Sequence, residues 1–236
     1  MNVLTRLEDA PPLEESFGVL KQQGRLDVAS DDPLVVINPS HRVIIDPQYS
    51  RIGLKHAATV LRLRQSVKLR LEFAATLVPH GVTLIVLDAW RSACLQQEVF
   101  DYFNAKLPAS VDREKYVFDP SKVGSSRRYP SNAPPHRTGG ALDVVLGNDV
   151  GRALPMGVSH DEMTPLACTA AFEKDDHGFS TAEARLIRSN RRALVYIMSC
   201  AGFSNYPEEY WHYDFGNSFW RFYSSIPGGG VYGVAE

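Results

Sequence analysis

Residues 136–146, with the sequence HRTGGALDVVL, contain the strand that we expect at the centre of the fold. The second half of this stretch is apolar except for Asp143, a pattern typical of a short, largely buried strand that carries one charge. A buried carboxylate needs a partner. Gly139 and Gly140 permit a sharp turn before the strand, so His136 can fold back toward Asp143. Taken alone, the stretch also fits a salt bridge for Asp143 and a surface-loop position for His136.

A second stretch, residues 208–215 with the sequence EEYWHYDF, mixes acidic, aromatic and imidazole side chains. A strand at its end places His212 and Asp214 on one face, because side chains alternate along a strand. Glu209 lies three positions before His212 and therefore belongs to the opposite face of a regular strand. We expect the chain to bend between these two residues, so that both approach the same site.

Together the two stretches supply the residues needed for metal-assisted hydrolysis. A catalytic zinc ion takes three ligands from His, Asp or Glu and keeps one position for water, whose pKa falls from 15.7 to about 7. His136, Asp143 and His212 are the candidate ligands for one Zn²⁺ per chain. Glu209 is the candidate general base, because a carboxylate that is not on the metal has to carry the proton from water to the leaving amine.

The patterns H-x-x-G-x-A-x-D at residues 136–143 and E-x-x-H at residues 209–212 resemble the signature of zinc D,D-peptidases. They are most similar to the VanX-type D-alanyl-D-alanine dipeptidases, which are related to zinc D,D-carboxypeptidases. Three further segments are similar to parts of that family, at residues 87–91, 118–122 and 156–161. The resemblance extends from about residue 44 to residue 215, which is most of the chain.

The resemblance implies the zinc ligands and the base named above, and it adds further roles. Arg91 would stabilise the developing oxyanion, Asp161 would hold the free ammonium group of the substrate, and Trp211 would belong to the substrate site. The chain departs from the family pattern at Pro134, where the family usually has serine. Residues 123–135 are also inserted before the first ligand, so we expect a remodelled lip of the pocket.

Length and composition limit the class of partner. The chain has 236 residues, enough to bury a sizeable core. Its 44% hydrophobic and 22% charged residues are ordinary for a globular protein. A formal net charge of −2 provides no electrostatic basis for binding nucleic acid or an anionic membrane. We therefore expect a small D,D-dipeptide substrate as partner, and the sequence indicates no oligomeric state.

The cysteines and the N-terminus bear on the compartment. Cys94, Cys168 and Cys200 are scattered, odd in number and without a CxxC pair, which favours a reducing compartment over a disulfide framework. Acidic residues stand where a signal peptide would have its apolar core, and no apolar run reaches membrane-spanning length. We therefore expect a cytoplasmic enzyme that encounters free dipeptides.

Periodicity predicts one α+β domain over residues 1–236, with a central, mainly antiparallel sheet, helices packed against it and the zinc site at the sheet. Strands are predicted at 33–37, 43–45, 82–87, 141–146 and 212–215, and helices at 14–22, 55–78, 92–107 and 180–202. An arm at 1–32 and a long loop at 108–135 beside the active site complete the fold. Residues 218–223 are expected to be a final strand or a packed segment.

Two other functions fit the same residues. A D,D-carboxypeptidase or related peptidoglycan peptidase would use the same zinc scaffold on longer peptides, with residues 123–135 opening the site. A zinc-binding module without turnover is a second alternative, but a purely structural zinc site needs no spare carboxylate such as Glu209. The sequence favours hydrolysis of D-alanyl-D-alanine over both.

Overall fold

The computed structural model describes residues 4–22, 31–107, 119–120, 133–175, 177–227 and 230–236. The strands in these residues are β1 (Leu34–Val36), β2 (Val43–Ile45), β3 (Arg62–Arg64), β4 (Val82–Asp88), β5 (Ala141–Asn148), β6 (Ser204–Asn205) and β7 (His212–Asp214). The α-helices are α1 (Leu13–Gln22), α2 (Gln48–Arg51), α3 (Gln65–Leu77), α4 (Ala93–Lys106), α5 (Thr181–Cys200) and α6 (Ser218–Tyr223). None of these described helices combines the length and apolar character needed to cross a bilayer. The predicted loop at 108–135 lies mostly outside the described residues.

Five strands form one mixed sheet in the order β2-β4-β5-β7-β6. β2 runs parallel to β4, and all other neighbours in this sheet are antiparallel. β4 and β5 occupy its middle and are buried along almost their whole length, as their continuous apolar sequences predict. β1 and β3 pair separately as a small antiparallel sheet. The prediction of an α+β domain with a central, mainly antiparallel sheet is confirmed.

The helices pack into one main core, one smaller cluster between α2 and α4, and a third cluster at the start of α5. Leu71 of α3 and Ile197 of α5 are completely buried in the main core with the sheet. α1 lies against α5 and adds Leu13 to that core, so the N-terminal region is packed on the domain. α4 contacts α2 in the smaller cluster, in which Leu95 packs with Tyr49. This cluster fixes the position of the Tyr49 side chain.

One predicted helix differs from the structure, and a segment predicted as a strand or a packed segment is a packed helix. The helix expected at 55–78 begins only at Gln65, because the residues just before it pair with β1 as strand β3. Helical spacing of apolar residues cannot reveal a three-residue strand at the start of the same run. The aromatic segment 218–223 is helix α6, where the side chain of Asn217 caps the N-terminus by accepting a hydrogen bond from the Trp220 N–H at 2.9 Å.

The two glycines before β5 are required by close packing of the backbone. Gly139 ends a short 3-10 helix at Pro135–Thr138 with a φ of 69°, a left-handed conformation that favours glycine. Gly140 has no such φ, but a Cβ atom there would lie 2.5 Å from the backbone oxygen of Phe215. The Phe215 N–H donates a hydrogen bond to the Gly140 carbonyl at 2.8 Å. The glycine pair therefore allows β5 to pack tightly beside the end of β7, with His136 on the turn.

Gly140→Ala is expected to lower the free energy of unfolding by about 1–3 kcal/mol, because the added methyl group must displace the backbone at Phe215. Gly18→Ala is the matched control. Gly18 lies inside α1, no described heavy atom comes within 4 Å of a Cβ placed there, and alanine should stabilise the helix by about 0.5–1 kcal/mol. Urea denaturation measures both effects. A Gly140→Ala protein as stable as the parent would contradict the packing argument.

Candidate metal centre and substrate cleft

Strand register brings three polar side chains into one row across the sheet. Asp143 on β5 is the Cα partner of His212 on β7 and of Asp88 on β4. Side chains that lie directly opposite each other on neighbouring strands have Cβ atoms about 4.5–5.5 Å apart. A register shift between Val86 and Asp88 places Asp88, not Leu87, opposite Asp143. The sheet therefore presents two carboxylates and one imidazole side by side, all of them buried.

His136 reaches this row from the turn that precedes β5. Its Nε2 lies 3.2 Å from Nδ1 of His212 and 3.5 Å from Oδ1 of Asp143. The third distance, from His212 Nδ1 to Asp143 Oδ1, is 3.2 Å. The ligand atoms of these three residues lie within 4.8 Å of one another and could hold a metal ion. The structure thus brings together the three residues predicted as ligands.

These three distances suit a tetrahedral ion. Zinc held at about 2.0–2.1 Å by nitrogen and oxygen ligands in tetrahedral geometry separates the ligand atoms by about 3.3 Å. The observed separations of 3.2, 3.2 and 3.5 Å bracket that value. The site can therefore accept a small tetrahedral cation without rearrangement of its three ligands.

The hydrogen bonds of the two imidazoles point to the same conclusion. His136 Nδ1 lies 2.7 Å from the carbonyl oxygen of Ala89, and His212 Nε2 lies 3.1 Å from Oδ2 of Asp214. Donation from the outer nitrogen of each ring would leave a lone pair on the nitrogen that faces the other ring. Oδ1 of Asp143 is buried and accepts no hydrogen bond from the described residues. In that tautomer, the three converging atoms are electron-pair donors that could hold a cation between them.

The charge state of Asp143 fits a ligand. Burial alone would raise the pKa of this carboxyl, but His136, His160 and His212 together hold the pKa well below its ordinary value. Asp143 is therefore ionised at neutral pH although only 1% of it is exposed. An ionised carboxylate at this depth is stable only beside positive charge.

Glu209 lies beside the three ligands but outside their set. Its Oε2 is 3.8 Å from Nδ1 of His212. Two successive turns bring it there, with Glu209 N–H donating to Tyr206 O at 3.1 Å and His212 N–H donating to Glu209 O at 3.2 Å. The side-chain amide of Asn205 donates to the carbonyls of both Glu209 and His212 and so braces the turn. The predicted bend before His212 is confirmed.

The environment of Glu209 shifts its pKa toward neutrality. Partial burial raises the pKa of Glu209 to about 7, and the charges of Asp143 and Asp161 act in the same direction against those of His212 and Arg91. Its side chain is still 30% exposed. A carboxylate with this pKa, open to the cleft, is suited both to accept a proton and to return it.

Arg91 lies on another side of the ligand cluster, anchored by two residues. Its Nε donates to Oδ2 of Asp88 at 2.7 Å, and its Nη2 donates to the hydroxyl of Tyr49 at 2.9 Å. Nη2 also lies 3.7 Å from Oδ2 of Asp143. Burial works against the charge, but the acidic groups around Arg91 raise its pKa above the ordinary value. Arg91 is thus both a partner of Asp88 and a permanent cation beside the candidate metal centre.

Asp161 is brought to the same site through Tyr49. The Tyr49 hydroxyl donates to Oδ2 of Asp161 at 2.8 Å, so one phenol oxygen connects Asp161 with Arg91. Asp161 has a φ of 57°, a left-handed conformation that aspartate tolerates better than most residues. The predicted substrate residue and the predicted oxyanion residue are therefore linked by a side chain that the sequence analysis did not single out.

Glu209 and Asp161 line the same small surface cleft. Trp211 lines it together with Met163 and Cys168. The Trp211 side chain is itself almost completely buried, and its ring packs edge-on against His160 with a centroid separation of 5.4 Å. Trp211 therefore lies at the wall of this cleft, and its contact with substrate remains a prediction.

A buried arginine fixes the loop that carries Asp161. Arg191, on α5, donates hydrogen bonds to the carbonyl oxygens of Met156, Leu166 and Cys168 at 2.6–2.8 Å. Only 2% of Arg191 is exposed. The hydrogen bonds of this guanidinium therefore hold the loop in place, where there is little regular secondary structure.

Sequence analysis missed four residues that shape the site, namely Tyr49, His160, Arg191 and Asn205. Tyr49 is 42 residues from Arg91 in the chain, and no pattern connects them. His160 precedes Asp161 in an exposed-looking His-Asp-Glu run that suggests a solvated cluster. The predicted role of Asp143 as a ligand could have pointed to a residue such as His160, because a metal-bound carboxylate usually has a hydrogen-bond donor behind it.

The sequence of this chain is similar to those of known peptidases. Residues 41–225 match the peptidase M15 family model, described as D-ala-D-ala dipeptidase. A D-alanyl-D-alanine dipeptidase from Synechocystis sp. is 27% identical over 208 residues, covering 80% of this chain and 84% of the relative. A protein of the same name from Enterococcus faecium is 31% identical over 153 residues, covering 64% of this chain and 69% of the relative.

Proposed function

The chain belongs to the peptidase M15 family of D-Ala-D-Ala dipeptidases, and from that premise we propose that it is a zinc-dependent hydrolase of D-alanyl-D-alanine. The observation that carries this proposal is the buried triad of His136, Asp143 and His212 with Glu209 3.8 Å from one of its nitrogens. The substrate would be a free D,D-dipeptide, and the products two D-amino acids.

His136, Asp143 and His212 would hold the zinc ion through Nε2, Oδ1 and Nδ1 respectively. When bound, zinc lowers the pKa of water and polarises the peptide carbonyl. Asp214 and the Ala89 carbonyl would hold the two imidazoles in the tautomers that offer these nitrogens, because each lies within hydrogen-bond distance of an outer ring nitrogen. The ligands would therefore be pre-organised before the ion arrives.

Glu209 would act as the general base and then as the general acid. It accepts the proton of the attacking water and delivers it to the leaving amino group, and a pKa of about 7 suits both directions at neutral pH. Because Glu209 lines the cleft, a peptide bond bound beside it would lie within its reach. Its separation from the ligand set keeps the carboxylate free for this role.

Arg91 would stabilise the negative charge that develops on the carbonyl oxygen. Asp88 and Tyr49 fix the guanidinium, so little reorganisation is needed during the reaction. Asp161 would bind the substrate's ammonium group at the other end of the cleft, oriented by the Tyr49 hydroxyl. This arrangement favours dipeptides with a free amino terminus.

Glu209→Gln is expected to retain zinc and to lose roughly 10²–10⁴-fold in kcat, the usual contribution of a general base. The amide keeps the size of the side chain but cannot accept the proton. Glu208→Gln is a matched control, because Glu208 lines the same cleft with its carboxylate beside Cys168. Steady-state kinetics and zinc content are measured on both. A Glu209→Gln enzyme near the parent rate would remove Glu209 from the mechanism.

The ammonium site separates the dipeptidase from a D,D-carboxypeptidase on the same scaffold. Asp161 Oδ2 already accepts a hydrogen bond from Tyr49 and lies 3.3 Å from Nδ1 of His160. The two enzyme classes therefore differ in how strongly Asp161 binds an ammonium group in addition to these contacts. Free D-alanyl-D-alanine should be cleaved at least about 10²-fold faster than its N-acetyl derivative, because an acyl group removes the positive charge that Asp161 would bind. Comparable rates would instead favour longer peptidoglycan peptides as substrates.

A further inference from the structure

His160 stands behind the central carboxylate of the site. It lies in the loop after β5, and only 8% of its side chain is exposed. Its Nε2 is 3.0 Å from Oδ2 of Asp143, a hydrogen-bond distance. The ring is packed between Trp211 and Tyr49, with centroid separations of 5.4 and 6.0 Å. Aromatic packing thus fixes the direction in which the His160 nitrogen points.

The two oxygens of Asp143 face different neighbours. Oδ1 faces His136 and His212 and accepts no hydrogen bond from the described residues. Oδ2 faces His160 at 3.0 Å, while the nearest Arg91 nitrogen is 3.7 Å away, beyond hydrogen-bond distance. Among the described residues, His160 is therefore the hydrogen-bond donor that holds Oδ2.

We propose that His160 is a positioning residue that turns Asp143 so that Oδ1 alone is presented to the metal. This inference rests on the metal site in the proposed function. A carboxylate can rotate about its Cβ–Cγ bond, and a donor fixed on one oxygen removes that freedom. Donors behind a ligating residue typically contribute 10–100-fold to metal affinity. His160 would act through Asp143 and would not itself bind the ion.

A His160 ring that only fills space and a His160 ring that donates a hydrogen bond predict different zinc affinities for the variants. If the His160 ring only fills space between Trp211 and Tyr49, phenylalanine should replace it without loss of metal affinity. If the donor matters, a residue that places N–H at the position of Nε2 should work and one that lacks it should fail. Glutamine reaches approximately the Nε2 position with its amide nitrogen, whereas asparagine reaches only the Nδ1 position.

The experiment measures the zinc dissociation constant of the metal-free full chain by competition with a chromogenic chelator. His160→Phe and His160→Asn are expected to bind zinc roughly 10–100-fold more weakly than the parent, and His160→Gln within about threefold of it. His56→Phe is the control, because His56 pairs with Glu98 at 2.9 Å on the surface and should leave zinc affinity unchanged. Circular dichroism confirms that each variant is folded.

The outcomes separate the two proposals. A parent protein that binds no zinc overturns the metal site itself. A parent that binds zinc, with His160→Phe equal to it, overturns only the role of His160. If His160→Phe does not fold, the Asn and Gln variants decide, since equal zinc affinity in these two contradicts a requirement for a donor at the Nε2 position. Weak binding in Phe and Asn together with near-parent binding in Gln supports the proposal.

Discussion

An ionised carboxylate inside an apolar sheet has to be compensated by positive charge, and Asp143 sets that requirement for this protein. It lies on the central strand β5, is 1% exposed, and its pKa is held well below the ordinary value. Isolated burial of such a charge would be prohibitively unfavourable. The surrounding residues therefore have to supply donors or cations beside it, and His136, His160 and His212 are among them.

Several parts of the fold bring polar and charged side chains to Asp143. Cross-strand register delivers His212, the glycine turn delivers His136, and a bulge-like register shift brings Asp88 with its partner Arg91 alongside. The loop after β5 supplies His160, although that loop has little regular structure of its own. Arg191 donates hydrogen bonds to carbonyl groups of this loop. It therefore helps to position His160 at the site.

Sequence reasoning succeeded where the physical signal is local. The apolar run around Asp143 identified the central strand, and the period of two in β7 correctly placed His212 and Asp214 on one face, where they now share a hydrogen bond. The bend before His212 followed from the need to bring Glu209 round. Strand β3 was missed because it depends on pairing with β1, which is distant in the chain. Residues 218–223, predicted as a strand or a packed segment, are the packed helix α6, whose start depends on one side-chain hydrogen bond at Asn217. Tyr49 and His160 were missed for the same reason, since their roles exist only in three dimensions.

We propose that cleavage of a D,D-dipeptide requires a metal ion held by His136, Asp143 and His212. The most direct test is release of D-alanine from D-alanyl-D-alanine by the purified protein, measured with added zinc, after chelation, and after zinc is restored. We expect D-alanine to be released with zinc, no release after chelation, and renewed release when zinc is restored. Release that is indifferent to chelation, or no release from folded and zinc-loaded protein, would contradict it.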